Sequence, residues 1–442
     1  MKAYQIFKKL YTPQSILQFY EEKIYNNCST GLDKITPLKF DENKDAIISK
    51  ISEKVLSGKY NFTRYKKMLI AKGEQKYPRV ICMPTIRDKL VLSVLHETLN
   101  KIFGDSIVSL LPQIIINNIY TEAQNNNYDG FIKIDIKTFY ASINHIVLFQ
   151  KLKKKIRKIE LLTLIENAIK TPSLEIPIKS RQQPQNREIG IPEGISISSI
   201  LANIYLMDLD KKYSNSKNFS YHRYVDDILI LCKSTEIDKI RNDLSNDLKK
   251  LKLETNEKDE LGLIKKGFEY LGYKFNSKTI SARESTVLKY ETSLEQIFSA
   301  YKHAQNPSLK LLEWKLNLKI TGCIIDGKKY GWLFYFSQID DMKLITHFDC
   351  LIAKFSKRFK IDGENLSFKR FKRTYYEIKY NLHSSNYIPN FDNYTITDVR
   401  TILENIYEKN LKELNDEQTV ILFKKIMSKE TKELEKDVQF FS

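Results

Sequence analysis

The chain has 442 residues, 42% hydrophobic and 29% charged, which excludes a wholly disordered polymer and leaves room for two or three packed domains. Its 72 lysines and arginines against 54 acids give a net charge of +18, so the expected partner is a polyanion, nucleic acid ahead of a membrane surface. No apolar run approaches transmembrane length, and the start, Met1 to Lys9, has no apolar signal core. The five cysteines (Cys28, Cys82, Cys232, Cys323, Cys350) are scattered without a CxxC pair. They read as reduced core thiols of a cytoplasmic protein, with no zinc site.

Residues 1–30 read as helical and basic, and Gly31 to Pro37 breaks that segment. Ile48, Ile51, Val55 and Leu56 then recur at helical spacing. A hairpin is expected from Lys67–Ala71 and Arg79–Met83 around a polar turn. Lys72, Lys76 and Arg79 would project from it, either as a clamp on a triphosphate or as a solvated basic turn. Pro84 to Asp88 opens a helix, with Thr85 and Asp88 at capping-box spacing.

After a turn at Asn125–Gly130, Phe131 to Ile136 reads as a strand. Ile132, Ile134 and Ile136 share one face, and Asp135 faces the other way near the strand end. The chain then enters a helix that runs to a basic cluster, Lys151 to Lys158, which contacts phosphate or is a solvated face. Gly190-Ile191-Pro192-Glu193-Gly194 makes a tight turn where backbone could approach a ligand, and Ser198 or Ser199 would cap the next helix.

Tyr221 to Leu231 places Asp226-Asp227 between an aromatic segment and an aliphatic run, as at a hairpin tip. Adjacent carboxylates repel, and a divalent cation would relieve them; a plain surface turn is the alternative. Phe268 to Phe275 reads as strand, glycine, strand. Beyond about 285 the pattern is almost wholly helical. Its basic aromatic stretches, 354–360 and 369–373, fit a nucleic-acid groove or a packed core equally.

Asp135, Asp226 and Asp227 could meet if their strands are neighbours. Two cations roughly 4 Å apart would then activate a 3′-hydroxyl and stabilise leaving pyrophosphate. In order and spacing, Phe131 to Tyr140, Ile191 to Leu206 and Tyr224-Val225-Asp226-Asp227 resemble the motifs of a reverse transcriptase over about residues 30–285. That resemblance implies an α+β right-hand polymerase. An N-terminal helical segment (1–30) would precede fingers and palm with an antiparallel sheet (31–285), a helical thumb (286–365) and a helical C-terminal region (366–442). It implies two Mg²⁺ ions, or Mn²⁺, on Asp135, the Ile136 carbonyl, Asp226 and Asp227. It places Lys72, Arg79, Tyr140, Glu193 and Gly194 at the incoming dNTP, with Tyr140 under the sugar. It makes Lys258 the proton donor to pyrophosphate, and Phe268, Tyr270, Leu271 and Gly272 the primer grip.

The chain departs from that family at Glu193, where relatives usually carry glutamine. A carboxylate beside a nucleotide repels it unless paired or protonated, which puts ordinary templating in question. The segments 320–323 and 330–339 are similar to the defence-associated, antiphage group of prokaryotic reverse transcriptases. Within it they suggest the smaller enzyme of the class 3 system. That implies a structured non-coding RNA, a DNA product, a second reverse transcriptase subunit and higher-order assembly. Untemplated or protein-primed DNA synthesis, and a catalytically silent RNA-binding scaffold, are the competing readings.

Overall fold

A computed structural model describes residues 2–25, 30–70, 78–107, 110–124, 127–175, 187–256, 259–276, 279–361 and 366–438. The chain divides into two compact units. Residues 1–110 with 130–262 form the first, and 111–129 with 263–442 form the second.

Among its described residues the first unit holds seven strands. They are β1 (Tyr65–Ile70), β2 (Arg79–Met83), β3 (Gly130–Asp135), β4 (Ser173–Leu174), β5 (Ser220–Tyr224), β6 (Asp227–Cys232) and β7 (Glu260–Leu263). They make two sheets, ordered β2-β1-β4 and β5-β6-β3-β7. In the second sheet β6 is central, antiparallel to both β5 and β3. That position explains its unbroken aliphatic run: Ile228 through Cys232 are all buried. Each large side chain so buried contributes roughly 1.5–3 kcal/mol. In β3 the alternation is as expected, with Ile132 and Ile134 buried and Lys133 turned to Glu260 at 2.9 Å.

Helices pack around this sheet. Helix Ile86–Phe103 starts on Thr85, whose hydroxyl accepts from the Asp88 amide at 3.2 Å. Asp88 does not complete a capping box. Its buried carboxylate instead accepts from the Tyr60 hydroxyl (2.7 Å) and the Thr63 amide (2.9 Å). The expected single helix after Asp135 is broken. Phe139–Ser142 ends where Ile143 turns extended, and Asn144 caps a new helix, His145–Lys153. The basic cluster beyond it is largely engaged within the protein. Lys151 and Lys154 hold Asp208, Lys155 donates to the Ile102 carbonyl and Ser106, and Lys158 meets Glu160. Ser198 is the first residue of helix Ser198–Ser214 rather than its cap, and its hydroxyl donates to the Pro192 carbonyl at 2.6 Å.

The second unit contains a three-stranded antiparallel sheet, β8 (Phe268–Tyr270), β9 (Tyr273–Phe275) and β10 (Ile280–Ala282). Helices Glu284–Lys302, Leu309–Thr321, Met342–Arg358, Phe371–Tyr380, Ile396–Asn405 and Asp416–Lys436 follow. The expectation of an almost wholly helical tail misses a hairpin, β11 (Cys323–Ile325) with β12 (Lys328–Tyr330). Asp326-Gly327, both at positive φ, form its turn.

Aromatic rings pack the core of this unit. Trp332 is buried between Tyr290 and Phe336, and Phe355 and Phe359 pack on Phe298. Cys82, Cys232 and Cys323 are buried, but Cys350 is exposed and so is not a core thiol; Cys28 lies outside the described residues. Among the described residues no helix is long and apolar enough to cross a membrane.

Candidate active site

The three acids lie on one strand pair and its turn. Asp135 ends β3 directly opposite Asp227, which begins β6. Asp226 sits in the β5–β6 turn, where Val225 adopts a left-handed φ of 58°. Asp226 also joins the strands, since its carbonyl accepts from the Ile136 amide at 3.1 Å. Both aspartates of the pair and Asp135 are half-buried.

Burial pushes the Asp227 carboxyl up to about 7; Lys133 opposes the shift, while the negative charges of Asp135, Asp226 and Glu260 add to it. Negative charge is therefore crowded on these two strands, and a divalent cation is the species that relieves such crowding. The donors are hard carboxylate oxygens, which suit Mg²⁺ or Mn²⁺. Among the described residues, no three His, Cys, Asp or Glu side chains stand together as a ready-made metal site. The chemistry of the acids fits the metal, while the residues supply no finished coordination shell.

Two supports of these acids were not expected from the sequence. The Asn256 amide nitrogen donates to the Asp135 carbonyl at 2.9 Å, and its side-chain amide donates to Asp135 Oδ2. The Arg223 guanidinium holds Asp210 bidentately through Nε and Nη2 (2.7 and 2.5 Å), and its Nη1 donates to the Val225 carbonyl at 2.7 Å, bracing the turn that carries Asp226. Arg223 closes β5 onto the turn through a backbone carbonyl, which no side-chain alternation marks.

The glycine-framed turn is clamped between β2 and the short helix Phe139–Ser142. Ile191 donates to the Tyr140 carbonyl at 2.8 Å, and the Cys82 amide donates to the Glu193 carbonyl at 2.7 Å. Gly194, at φ +93°, packs so tightly that a Cβ there would stand 2.3 Å from Ile81 Cγ2. Arg79 and Glu193 form an ion pair, Nε to Oε2 at 2.5 Å. Arg79 is therefore not a cation held open for phosphate, and Glu193 is not an unpaired carboxylate. Burial pushes the Tyr140 hydroxyl up to about 12; Asp226 adds to the shift, Arg79 opposes it, and Glu193 and Tyr224 add. Tyr140, Arg79, Glu193 and Asp226 thus share one electrostatic neighbourhood.

Lys72 and Lys258 lie outside the described residues. Phe268, Tyr270, Leu271 and Gly272 belong to the second unit, where Leu271 and Gly272 turn the chain between β8 and β9 at φ 47° and 78°. The side chains of Phe268, Tyr270 and Leu271 are buried, Phe268 stacked on Phe275 at 4.6 Å.

Comparison with known proteins bears on this site. Residues 70–275 match the family model described as reverse transcriptase (RNA-dependent DNA polymerase). The chain is 27% identical over 215 residues to the group II intron-encoded protein LtrA of Lactococcus lactis, covering 47% of this chain and 35% of that protein. It is 30% identical over 209 residues to an uncharacterized 91 kDa protein in the cob intron of Schizosaccharomyces pombe, covering 45% and 25%. The protein YkfC of Escherichia coli is 21% identical, over 67% of this chain and 87% of its own length. The chain thus spans about a third or less of the length of the two intron proteins. Among solved structures, telomerase from Candida albicans in complex with a fragment of telomeric RNA is similar at a TM-score of 0.45 and 16% identity, covering 90% of this chain and 69% of that one. The matched segment, residues 70–275, includes Asp135, Asp226 and Asp227.

Proposed function

We propose that the protein is an RNA-directed DNA polymerase working by two-metal nucleotidyl transfer at Asp135, Asp226 and Asp227. The observation that carries this reading is the register that sets Asp135 opposite Asp227, with Asp226 in the adjoining turn, inside the segment that matches the reverse transcriptase family model. Divalent cations bound there would activate a primer 3′-hydroxyl and offset charge on the phosphates.

The chain's own residues supply the rest. Asn256 fixes Asp135, and Arg223 braces the turn under Asp226. Tyr140 presents a neutral ring beside Asp226, suited to lie under the incoming sugar. Lys72, Lys258 and the segment Phe268–Gly272 keep the triphosphate, proton-donor and primer roles that the resemblance implies.

Primer extension on an RNA template with Mg²⁺ and labelled dNTPs tests the reading. Wild type should extend the primer and EDTA should abolish extension. Asp226→Ala/Asp227→Ala should lose about 10³-fold or more, the scale of removing a transition-state-stabilising group. Equal rates in wild type and variant would remove these acids from the chemistry.

The resemblance of segments 320–323 and 330–339 to defence-associated enzymes supports a finer reading. In it the template is an associated structured non-coding RNA, the setting is cytoplasmic antiphage defence, and a second reverse transcriptase is a partner subunit. Sequencing the RNA and DNA that co-purify with the protein checks it. The Arg79–Glu193 pair favours a second reading, untemplated or protein-primed synthesis, because it occupies both groups at the expected nucleotide position. Synthesis that persists with unchanged product sequence after nuclease removal of bound RNA would support that alternative.

A further inference from the structure

Helix Phe371–Tyr380 has two faces. Phe371, Thr374 and Tyr375 are buried, with the Tyr375 hydroxyl donating to the Ile339 carbonyl at 2.8 Å. Its first amides donate to the Asp349 carboxylate, Phe371 at 2.7 Å and Lys372 at 3.3 Å, so the helix is firmly seated. The opposite face leaves two large rings in water. Tyr376 is 45% exposed and Tyr380 72% exposed. They stack on successive turns, centroids 6.1 Å apart and planes 24° apart.

A groove of about 570 Å³ runs beside them, bordered by Arg370, Lys372 and Arg373. The run Lys369 to Arg373 carries four cations and no acid. Arg373 is oriented rather than loose, its guanidinium 4.3 Å from the Tyr387 ring centre. Crowded positive charge is also felt at Lys369, whose ammonium is held below its usual pKa by burial first and Arg373 second.

We propose that this face binds single-stranded RNA, with bases stacking on Tyr376 and Tyr380 and phosphates on Arg370, Lys372 and Arg373. Stacked aromatic rings with free outer faces extend naturally onto a base, and flanking guanidiniums suit phosphate. RNA is the favoured strand because Asn381, whose amide nitrogen donates to Glu377 at 2.8 Å beside the groove, keeps its amide oxygen as an acceptor for a 2′-hydroxyl, while Glu377 is held by Arg373 at 3.6 Å. An anionic membrane is a poorer fit, because the apolar side of the helix faces the interior and is not available to insert. The proposal is independent of the polymerase reading, since stacking requires neither metal nor dNTP.

The test uses the full chain and a 12-nucleotide RNA carrying 5-iodouridine, with photocrosslinks mapped by mass spectrometry and affinity read by fluorescence anisotropy. Crosslinks should fall on Tyr376 or Tyr380. Tyr376→Ala/Tyr380→Ala should weaken binding about 10-fold or more, while Tyr376→Phe/Tyr380→Phe should stay within about twofold, because the ring and not the hydroxyl stacks. Circular dichroism should show both variants folded, since the side chains are exposed. The crosslink should persist in Asp226→Ala/Asp227→Ala, which separates this proposal from the polymerase reading. Crosslinks elsewhere with unchanged affinity, equal binding of DNA of the same sequence, or binding to anionic vesicles that RNA does not compete would each overturn it.

Discussion

Glu193 and Arg79 lie 114 residues apart and meet at 2.5 Å, each about three-tenths exposed. If Arg79 is to reach a triphosphate, it must first leave Glu193. A partly exposed pair of this kind is worth about 0–1 kcal/mol, so Glu193→Gln should lower the dNTP KM by up to about 5-fold with kcat little changed. An unchanged KM in steady-state extension would mean that Arg79 has no nucleotide role. Arg223 and Asp210 are a different case, with side chains 4% and 6% exposed. Asp210→Ala would strand a buried guanidinium and should cost about 3–5 kcal/mol in denaturant unfolding. A loss under about 1 kcal/mol would show that water reaches Arg223. The acids were legible in the chain because each interrupts an apolar strand pattern. Asn256 and Arg223 were not, because one acts on a residue 121 positions away and the other on a carbonyl that no side-chain pattern marks.

The strands of the acid-bearing sheet could be read from side-chain alternation and aliphatic runs, since sheet position dictates which faces are buried. Breaks were harder. Nothing apolar changes at Ile143, yet Asn144 supplies a better cap than a continuing turn, accepting from the Val147 amide at 3.2 Å. The β11–β12 hairpin carried its signal in Asp326-Gly327, hidden by the helical spacing on either side. The contact between helices Ser198–Ser214 and Ile237–Lys250 makes a pH prediction. Asp247 receives hydrogen bonds from Lys212, Tyr213 and Lys250. Burial alone would raise its carboxyl, but those donors hold it below the usual range. A depressed carboxylate gives stability that is present above its unfolded pKa, about 3.9, and is lost as pH falls through the folded value. Because both lysines are largely exposed, Asp247→Asn should cost only about 1 kcal/mol at pH 7, or roughly 2–4 °C in Tm. Wild type and variant should converge in thermal melts as the pH falls below the unfolded value and through the depressed folded one.

Over the whole molecule, the charge of +18 makes nucleic-acid binding strongly salt-dependent. If about six phosphates are neutralised, log K should fall with log[salt] at a slope of about −4 to −5, measured by anisotropy between 50 and 200 mM salt. A slope near zero would mean that the cations serve mainly the ion pairs within the fold. The units are legible in the chain only in part, because the first is interrupted by a segment that belongs to the second. Residues 111–129 leave one unit and return the chain to it at 130.

Tyr120, in that segment, donates to Asp340 at 2.9 Å, a partner 220 positions later. During synthesis at about 5–20 residues per second, Tyr120 leaves the ribosome roughly 10–40 s before Asp340 exists. Through that interval the rest of its unit, residues 263–442, is incomplete around helix Pro112–Gln124, whose Ile115, Ile116 and Ile119 are buried in the finished chain. Nascent protein paused in this window offers chaperones a short, apolar handle that the completed chain conceals.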